Sequence, residues 1–270
     1  MTRPALTREL IADPTLWRLI LRIGGNRLSA LLIGPESAER SVMSHTEELP
    51  DDTVRSLENA VYDNPLLLSE FAAVDVVFAT REFFLAPESA LPLTDEMAEA
   101  MLPDACVDRR IECESFGPGA LCYAVAADVC NFVARTFASA VFHHALAVDA
   151  RYLAHRNREA SDSAHLYALC EGVGEMAAAA FDGAGRLRYL NAPSPVEPSD
   201  FAYYILAAAR GGVEPLSVGG TPELRNAVCD VLRAADPDAR VLPLTLPEDL
   251  LHLRRLAPEL PFDMLFLTRL

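Results

Sequence analysis

The stretch from Ser163 to Arg210 constrains the fold more than any other, because its pattern occurs twice. It reads as a strand (Ala164–Cys170), a glycine turn (Glu171-Gly172-Val173-Gly174) and a second strand (Glu175–Phe181). A tight turn (Asp182-Gly183-Ala184-Gly185), a third strand (Arg186–Asn191) and an amphipathic helix (Asp200–Arg210) follow. The same order appears near the N-terminus: strand Leu19–Ile23, turn Gly24-Gly25-Asn26, strands Leu28–Ile33 and Ser41–Leu49, helix Thr53–Tyr62. Adjacent glycine and asparagine tolerate the positive φ of a tight hairpin turn. A three-strand meander followed by a helix, met twice, predicts a duplicated α/β fold with a mixed sheet in each half and a cleft between the halves.

The intervening chain fits that plan. Val74–Phe78 is unbroken and rich in β-branched residues, so it reads as a strand buried on both faces. Phe83–Ala86, Leu121–Ala126 and Ala140–His143 read as further strands, and Thr94–Leu102, Asp128–Phe137 and Leu146–Arg156 as helices. Trp17, Leu19 and Leu21 alternate with Arg18, Ile20 and Arg22, giving the first strand one clearly apolar face. Asn157–Asp162 is the most polar connector in the middle of the chain, and the halves divide at about residues 1–150 and 151–270. In the second half, Ser199 reads as the N-cap of the helix after the meander. Pro215–Val218 leads through Gly219-Gly220 into a helix capped by Thr221 with Pro222 at its first position. Phe262–Leu267 is short, apolar and read as a last strand.

Charge excludes several functions. The chain of 270 residues carries 39 acidic against 23 basic side chains, a formal charge of −16, which repels phosphate backbones and anionic lipid. Neither nucleic acid nor membrane is expected as a partner, and no run is long and apolar enough to span a bilayer. All 23 basic residues are arginine. Without lysine, the GK[ST] phosphate loop, pyridoxal Schiff bases and S-x-x-K acyl enzymes are ruled out. Arg3, Arg8, Glu9, Asp13 and Arg18 break up the first twenty residues, which therefore do not read as a signal peptide. The six cysteines form no C-x-x-C pair, and they read as free buried thiols of a cytoplasmic protein rather than as a zinc site.

Several segments carry a resemblance. "RIGGNRLSALLI" at Arg22–Ile33, "VYDNPLLLSEF" at Val61–Phe71 and "VDVVFATREFFLAPE" at Val74–Glu88 are similar to the DUF3822 family of uncharacterised bacterial proteins. So are "VFHH" at Val141–His144, "DFAYYIL" at Asp200–Leu206 and "VGGTPELR" at Val218–Arg225. The resemblance implies an actin-like (ribonuclease H-like) ATPase fold, and ATP with magnesium as the cofactor such a fold would hold. Working members of that fold place a D-x-G turn in the first hairpin of each domain, whose aspartates hold Mg²⁺ and water.

Here Arg22-Ile23-Gly24 occupies the first such place and Cys170-Glu171-Gly172 the second, neither with an acid at the first position. The residues that could still contact nucleotide are Gly24, Gly25 and Asn26, Gly172 and Gly174, and Gly219, Gly220 and Thr221. The last three resemble the turn that supports adenosine, where paired glycines admit a ligand and a helix N-terminus offers free N–H groups. Each of these glycines is equally explained by the turn it makes. His143-His144 points to opposite strand faces, so it reads as a structural pair rather than a joint metal site. Asp63-Asn64 before Pro65 reads as turn chemistry. The leading expectation is a non-hydrolysing binding or scaffold module with a protein partner. The rivals are a divergent ATPase or sugar-kinase-like phosphotransferase using Glu171, Glu175 or Asp182, and a filament-forming protein.

Overall fold

The computed structural model describes residues 5–270 except 25, 36–40, 103–107, 118, 138, 161–163, 173–174, 194–196 and 210–214. Two compact units divide the chain. The first comprises Met1–Ala147 and Leu251–Leu265, the second Val148–Leu250 and Phe266–Leu270.

The first unit begins with the antiparallel meander β1 (Arg18–Gly24), β2 (Arg27–Ile33) and β3 (Val42–Glu48). Gly24 pairs with Arg27 across the hairpin, and Asn26 takes a φ of 54° to close it. Leu19, Ile20 and Leu21 are all fully buried, so both faces of β1 are covered rather than one. Helix α1 (Val54–Asp63) follows. Thr53 caps it by accepting a hydrogen bond from the Ser56 N–H, and Leu57, Ala60 and Val61 turn inward.

Pro65 ends α1 in a short 3-10 turn, Pro65–Leu68, that leads to β4 (Ala73–Phe78). Then come β5 (Phe83–Pro87), α2 (Asp95–Met101), β6 (Arg109–Phe116), β7 (Gly119–Ala126), α3 (Ala127–Thr136) and β8 (Val141–His144). The main sheet runs β3-β2-β1-β4-β8, with β1, β4 and β8 mutually parallel. Between β4 and β8 the chain builds a separate antiparallel sheet, β5-β7-β6.

The second unit repeats the plan. Helix α4 (Ala145–Ala160) leads into β9 (His165–Gly172), β10 (Glu175–Phe181), β11 (Leu187–Asn191), α5 (Pro198–Ala209), β12 (Leu216–Gly220), α6 (Pro222–Ala235) and β13 (Val241–Pro243). Its sheet runs β11-β10-β9-β12-β13, the same winding as the first. Leu166, Ala168 and Cys170 of β9 pack with Met176, Ala178 and Ala180 of β10 against Phe201 and Ile205 of α5 and Val228 and Leu232 of α6. Alanine-rich β10 leaves room for the helices to sit close to the sheet. Helices α7 (Glu248–Leu256) and α8 (Phe262–Leu267) complete the described chain. Among the described residues, no helix is long and apolar enough to cross a membrane.

Three further expectations are corrected. Phe262–Leu267 is helical: a six-residue apolar run has no period, and here Leu265 N–H bonds back to the Pro261 carbonyl. Asn157 to Ala160 continue α4 instead of forming a connector, and the Asn157 amide donates to the Asp182 carbonyl of the β10–β11 turn. Ser199 lies inside α5, which starts at Pro198 because proline suits the first helical position. Thr221 does stand at the N-cap of α6, but its side chain makes no capping bond.

The cysteine reading also changes. Among the described residues, Cys113 and Cys122 form a disulfide, while Cys130, Cys170 and Cys229 are free and buried; Cys106 lies outside the described residues. Cys113 and Cys122 stand directly opposite on antiparallel β6 and β7, a juxtaposition that spacing along the chain does not reveal.

Candidate functional site

The described polar residues with the most demanding surroundings lie on β1, β4 and β8 of the first unit. Arg22, Val77 and His143 stand level on the three parallel strands, and Ile23, Phe78 and His144 form the next row. Asp75 is buried in β4. Its carboxylate accepts from Arg18 Nε at 2.7 Å and lies 3.0 Å from His143 Nε2. The other ring nitrogen, Nδ1, lies 3.5 Å from Glu114 of β6. One imidazole thus ties the main sheet to the three-stranded sheet through two carboxylates.

The pKa directions follow from this balance. Burial alone would raise the Asp75 pKa, but hydrogen bonds from His143 and Arg18 outweigh it and hold the carboxyl below its ordinary value. Burial likewise pulls His143 down, yet its bonds to Asp75 and Glu114 reverse the sign and favour the imidazolium. His144 is the opposite case. It is fully buried, donates from Nε2 to the Thr80 carbonyl at 2.9 Å, and rests against the rings of Tyr123 and Phe83. Burial drives its pKa down to about 4, so it is a neutral donor. The two histidines serve different partners.

Arg22 makes the second buried ion pair. Its Nε donates to Asp263 of α8 at 2.8 Å, with the two side chains 6% and 4% exposed. Taking two charges out of water is costly, and only close geometry offsets that cost. Neither residue can leave the pair cheaply.

The glycines singled out from the sequence are explained by backbone packing. A Cβ on Gly24 would lie 2.7 Å from the Ala79 Cβ, where the chain leaves β4 and Ala79 N–H bonds to Ile23. Gly220 has φ +133°, and a Cβ there would fall 2.0 Å from the Cys170 carbonyl oxygen. Gly219 and Gly220 pair with Leu169 and Cys170, and Thr221 N–H donates to the same Cys170 carbonyl at 3.0 Å. Gly172 ends β9 opposite Glu175. The structure therefore gathers Gly172, Gly219, Gly220 and Thr221 near the end of β9, and Gly24 and Asn26 at the first hairpin. Gly25 and Gly174 lie outside the described residues. Asp182 is committed to its turn, accepting from Ala184 and Arg186 N–H. Asn64 accepts from Leu6 N–H and donates to the Ala60 carbonyl and Glu47, a fastening role.

With this geometry in hand, comparison with known proteins is direct. The family profile described as "Protein of unknown function (DUF3822)" matches residues 11–210. The chain belongs to the DUF3822 family. A Bacteroides thetaiotaomicron protein with an actin-like ATPase fold and unknown function superposes on it with a TM-score of 0.75, at 15% identity over 95% of this chain and 97% of that one. A chain of the PilM–PilN type IV pilus biogenesis complex gives a TM-score of 0.53 at 12% identity, over 95% and 99%. No curated protein matches the sequence. The fold of this DUF3822 chain is that of the actin-like ATPases.

Arg22, which the family resemblance sets at the place of the first D-x-G aspartate, is bound to Asp263. Among the described residues, no group of three or more His, Cys, Asp or Glu side chains could hold a metal ion. The described donor set does not fit a magnesium centre at the first hairpin. Sequence reasoning missed Asp75, Glu114 and Asp263. Asp75 had a signal, since an acid inside a strand buried on both faces must find partners; Asp263 had the same one within an apolar run. Glu114 had none, because its partner lies on another sheet.

Proposed function

We propose that this DUF3822 chain is a non-hydrolysing actin-fold module that acts by binding a protein partner. The observation that carries the reading is the Arg22–Asp263 pair: a buried guanidinium, itself neutralised, at the position that the family resemblance assigns to a metal-binding acid. Magnesium needs oxygen ligands, and a cation already fixed there opposes it. Two further features agree. Gly220 is accounted for by its approach to Cys170 without any ligand, and Asp182, one of the acids that might replace the missing aspartates, is used by its own turn. A chain sharing the fold sits in a two-protein assembly, PilM–PilN, which is a precedent for a partner-binding role.

The test is thermal unfolding with and without millimolar Mg-ATP, combined with a phosphate-release assay. A ligand at about a hundred times its dissociation constant stabilises the native state by roughly 2.7 kcal/mol, several degrees in midpoint. The reading expects phosphate release at the blank level. Steady release that disappears in Glu171→Gln or Glu175→Gln overturns it in favour of a phosphotransferase. A thermal shift without release leaves a nucleotide-binding module that does not turn over.

A further inference from the structure

We propose that Cys113 is a thiol-exchange site, the attackable sulfur of a reducible cross-strand disulfide. The argument is one of access. Cys122 lies on β7, the middle strand of the three-stranded sheet, with Cys113 of β6 opposite on one side and Phe84 of β5 opposite on the other. Cys122 has no exposed surface and belongs to the apolar cluster with Phe84, Ala86 and Ala120. Cys113 is exposed. Among the described residues, β6 is paired on one side only, by β7, so the line from Cys122 through Cys113 leads out over the sheet edge.

That line meets open space. A cavity of about 700 Å³ lies between α2 and β6, lined by Leu93, Thr94, Ala98, Ile111 and Cys113 itself. Arg109 and Arg110 also border it, but each is paired with a carboxylate, Glu82 and Glu112 respectively. Glu99 of α2 lines it as well, so the cavity offers an incoming anionic thiol no net attraction.

Exchange needs the attacking thiolate, the central sulfur and the leaving sulfur close to one line. Only Cys113 offers such an approach; reaching Cys122 in line requires passage through Phe84. In the reaction, the thiolate of a small dithiol forms a bond to Cys113 Sγ. The Cys113–Cys122 bond breaks, and its electron pair goes to Cys122 Sγ, which takes up a proton. The second thiol of the reagent then attacks its own sulfur in the mixed disulfide and expels Cys113 as thiolate. The dithiol leaves as a disulfide and the protein holds two thiols. The described free cysteines do not compete. Burial pushes Cys130 up to about 11 and Cys170 up to about 12, and it raises Cys229 as well, so these thiols carry little thiolate near neutrality.

The experiment uses the full native chain. It is alkylated with N-ethylmaleimide before and after dithiothreitol, and separately treated with reduced glutathione and acid-quenched for peptide mapping. The expected result is no alkylation of Cys113 or Cys122 before reduction and alkylation of Cys113 after it. The glutathione adduct should fall on Cys113 with at least a tenfold preference over Cys122. Three results overturn the proposal: both cysteines alkylated without reductant, the adduct on Cys122, or reduction whose rate follows global unfolding as denaturant is added.

Discussion

Replacing Arg22 by methionine removes one member of a pair whose side chains are 6% and 4% exposed and leaves the Asp263 carboxylate buried without its cation. Breaking such a pair costs about 3–5 kcal/mol, chiefly as the penalty of the charge left behind. For a unit of this size the midpoint moves ~2–4 °C per kcal/mol, so a fall on the order of 10 °C is expected. Arg22→Met/Asp263→Leu removes both charges and keeps the volume filled. It should recover most of the loss, because apolar replacement of a whole buried pair is often neutral or stabilising.

The assay is urea unfolding followed by tryptophan fluorescence. The single tryptophan, Trp17, is buried in the first unit next to β1, so the signal reports the unit that holds the pair. Together with Asp263→Leu alone, these variants close a double-mutant cycle, with an expected coupling of several kcal/mol. Additive effects, with coupling below about 0.5 kcal/mol, would refute the reasoning. They would also remove the ground for treating Arg22 as consumed by structure.

Two other predictions concern backbone and pH. Gly220→Ala should lower stability by more than about 2 kcal/mol, since the new Cβ meets the Cys170 carbonyl oxygen at 2.0 Å and the backbone sits at φ +133°; unchanged thermal unfolding of the variant would contradict this. Stability should fall on both sides of about pH 6.5, where unfolded histidine titrates. His144 and His165 are held neutral, each with a pKa lowered to about 4 by burial first, so the unfolded state binds more protons between 4 and 6.5 and stability drains as pH falls through that window. His143 is raised, so its contribution is full below 6.5 and is lost as pH rises through its folded value. Midpoints measured from pH 4 to 9 should show a flatter acid limb in His144→Gln, by up to about 1.4 kcal/mol per pH unit, and a flatter alkaline limb in His143→Gln.

The duplication was legible because local signals coincided in both copies. Gly24-Gly25-Asn26 and the alternation of flanking apolar residues mark the first hairpin, and α1 shows its start at Thr53 and its end at Pro65. The α5 boundary slipped by two residues for a local reason too: Ser199 is a good cap, but Pro198 is a better first residue. What stayed hidden was pairing at long range. Arg22 looks like an exposed position on a half-polar strand until a residue 241 positions away covers it. The apolar run Phe262–Leu267 carries no period, so its helix rests on tertiary packing, and with it goes the placement of Asp263. The Cys113–Cys122 bond and the contact of Glu114 with His143 depend on a three-stranded sheet whose edge strand, β6, carries no clear strand signal of its own.

The first unit is built from two pieces of chain, one at its beginning and one synthesised after nearly all of the second unit. Domains commonly fold in the order in which they leave the ribosome. Here the N-terminal sheet can form early, but Arg22 must wait for Asp263, and until then its guanidinium stays hydrated where the finished protein is dry. The sheet of the second unit, whose strands run without interruption from β9 to β13, is under no such delay, although that unit too is completed only by Phe266–Leu270. Vectorial synthesis should therefore let both sheets form before either unit is finished, with the segment Leu251–Leu270 sealing first the Arg22–Asp263 pair and then the second unit.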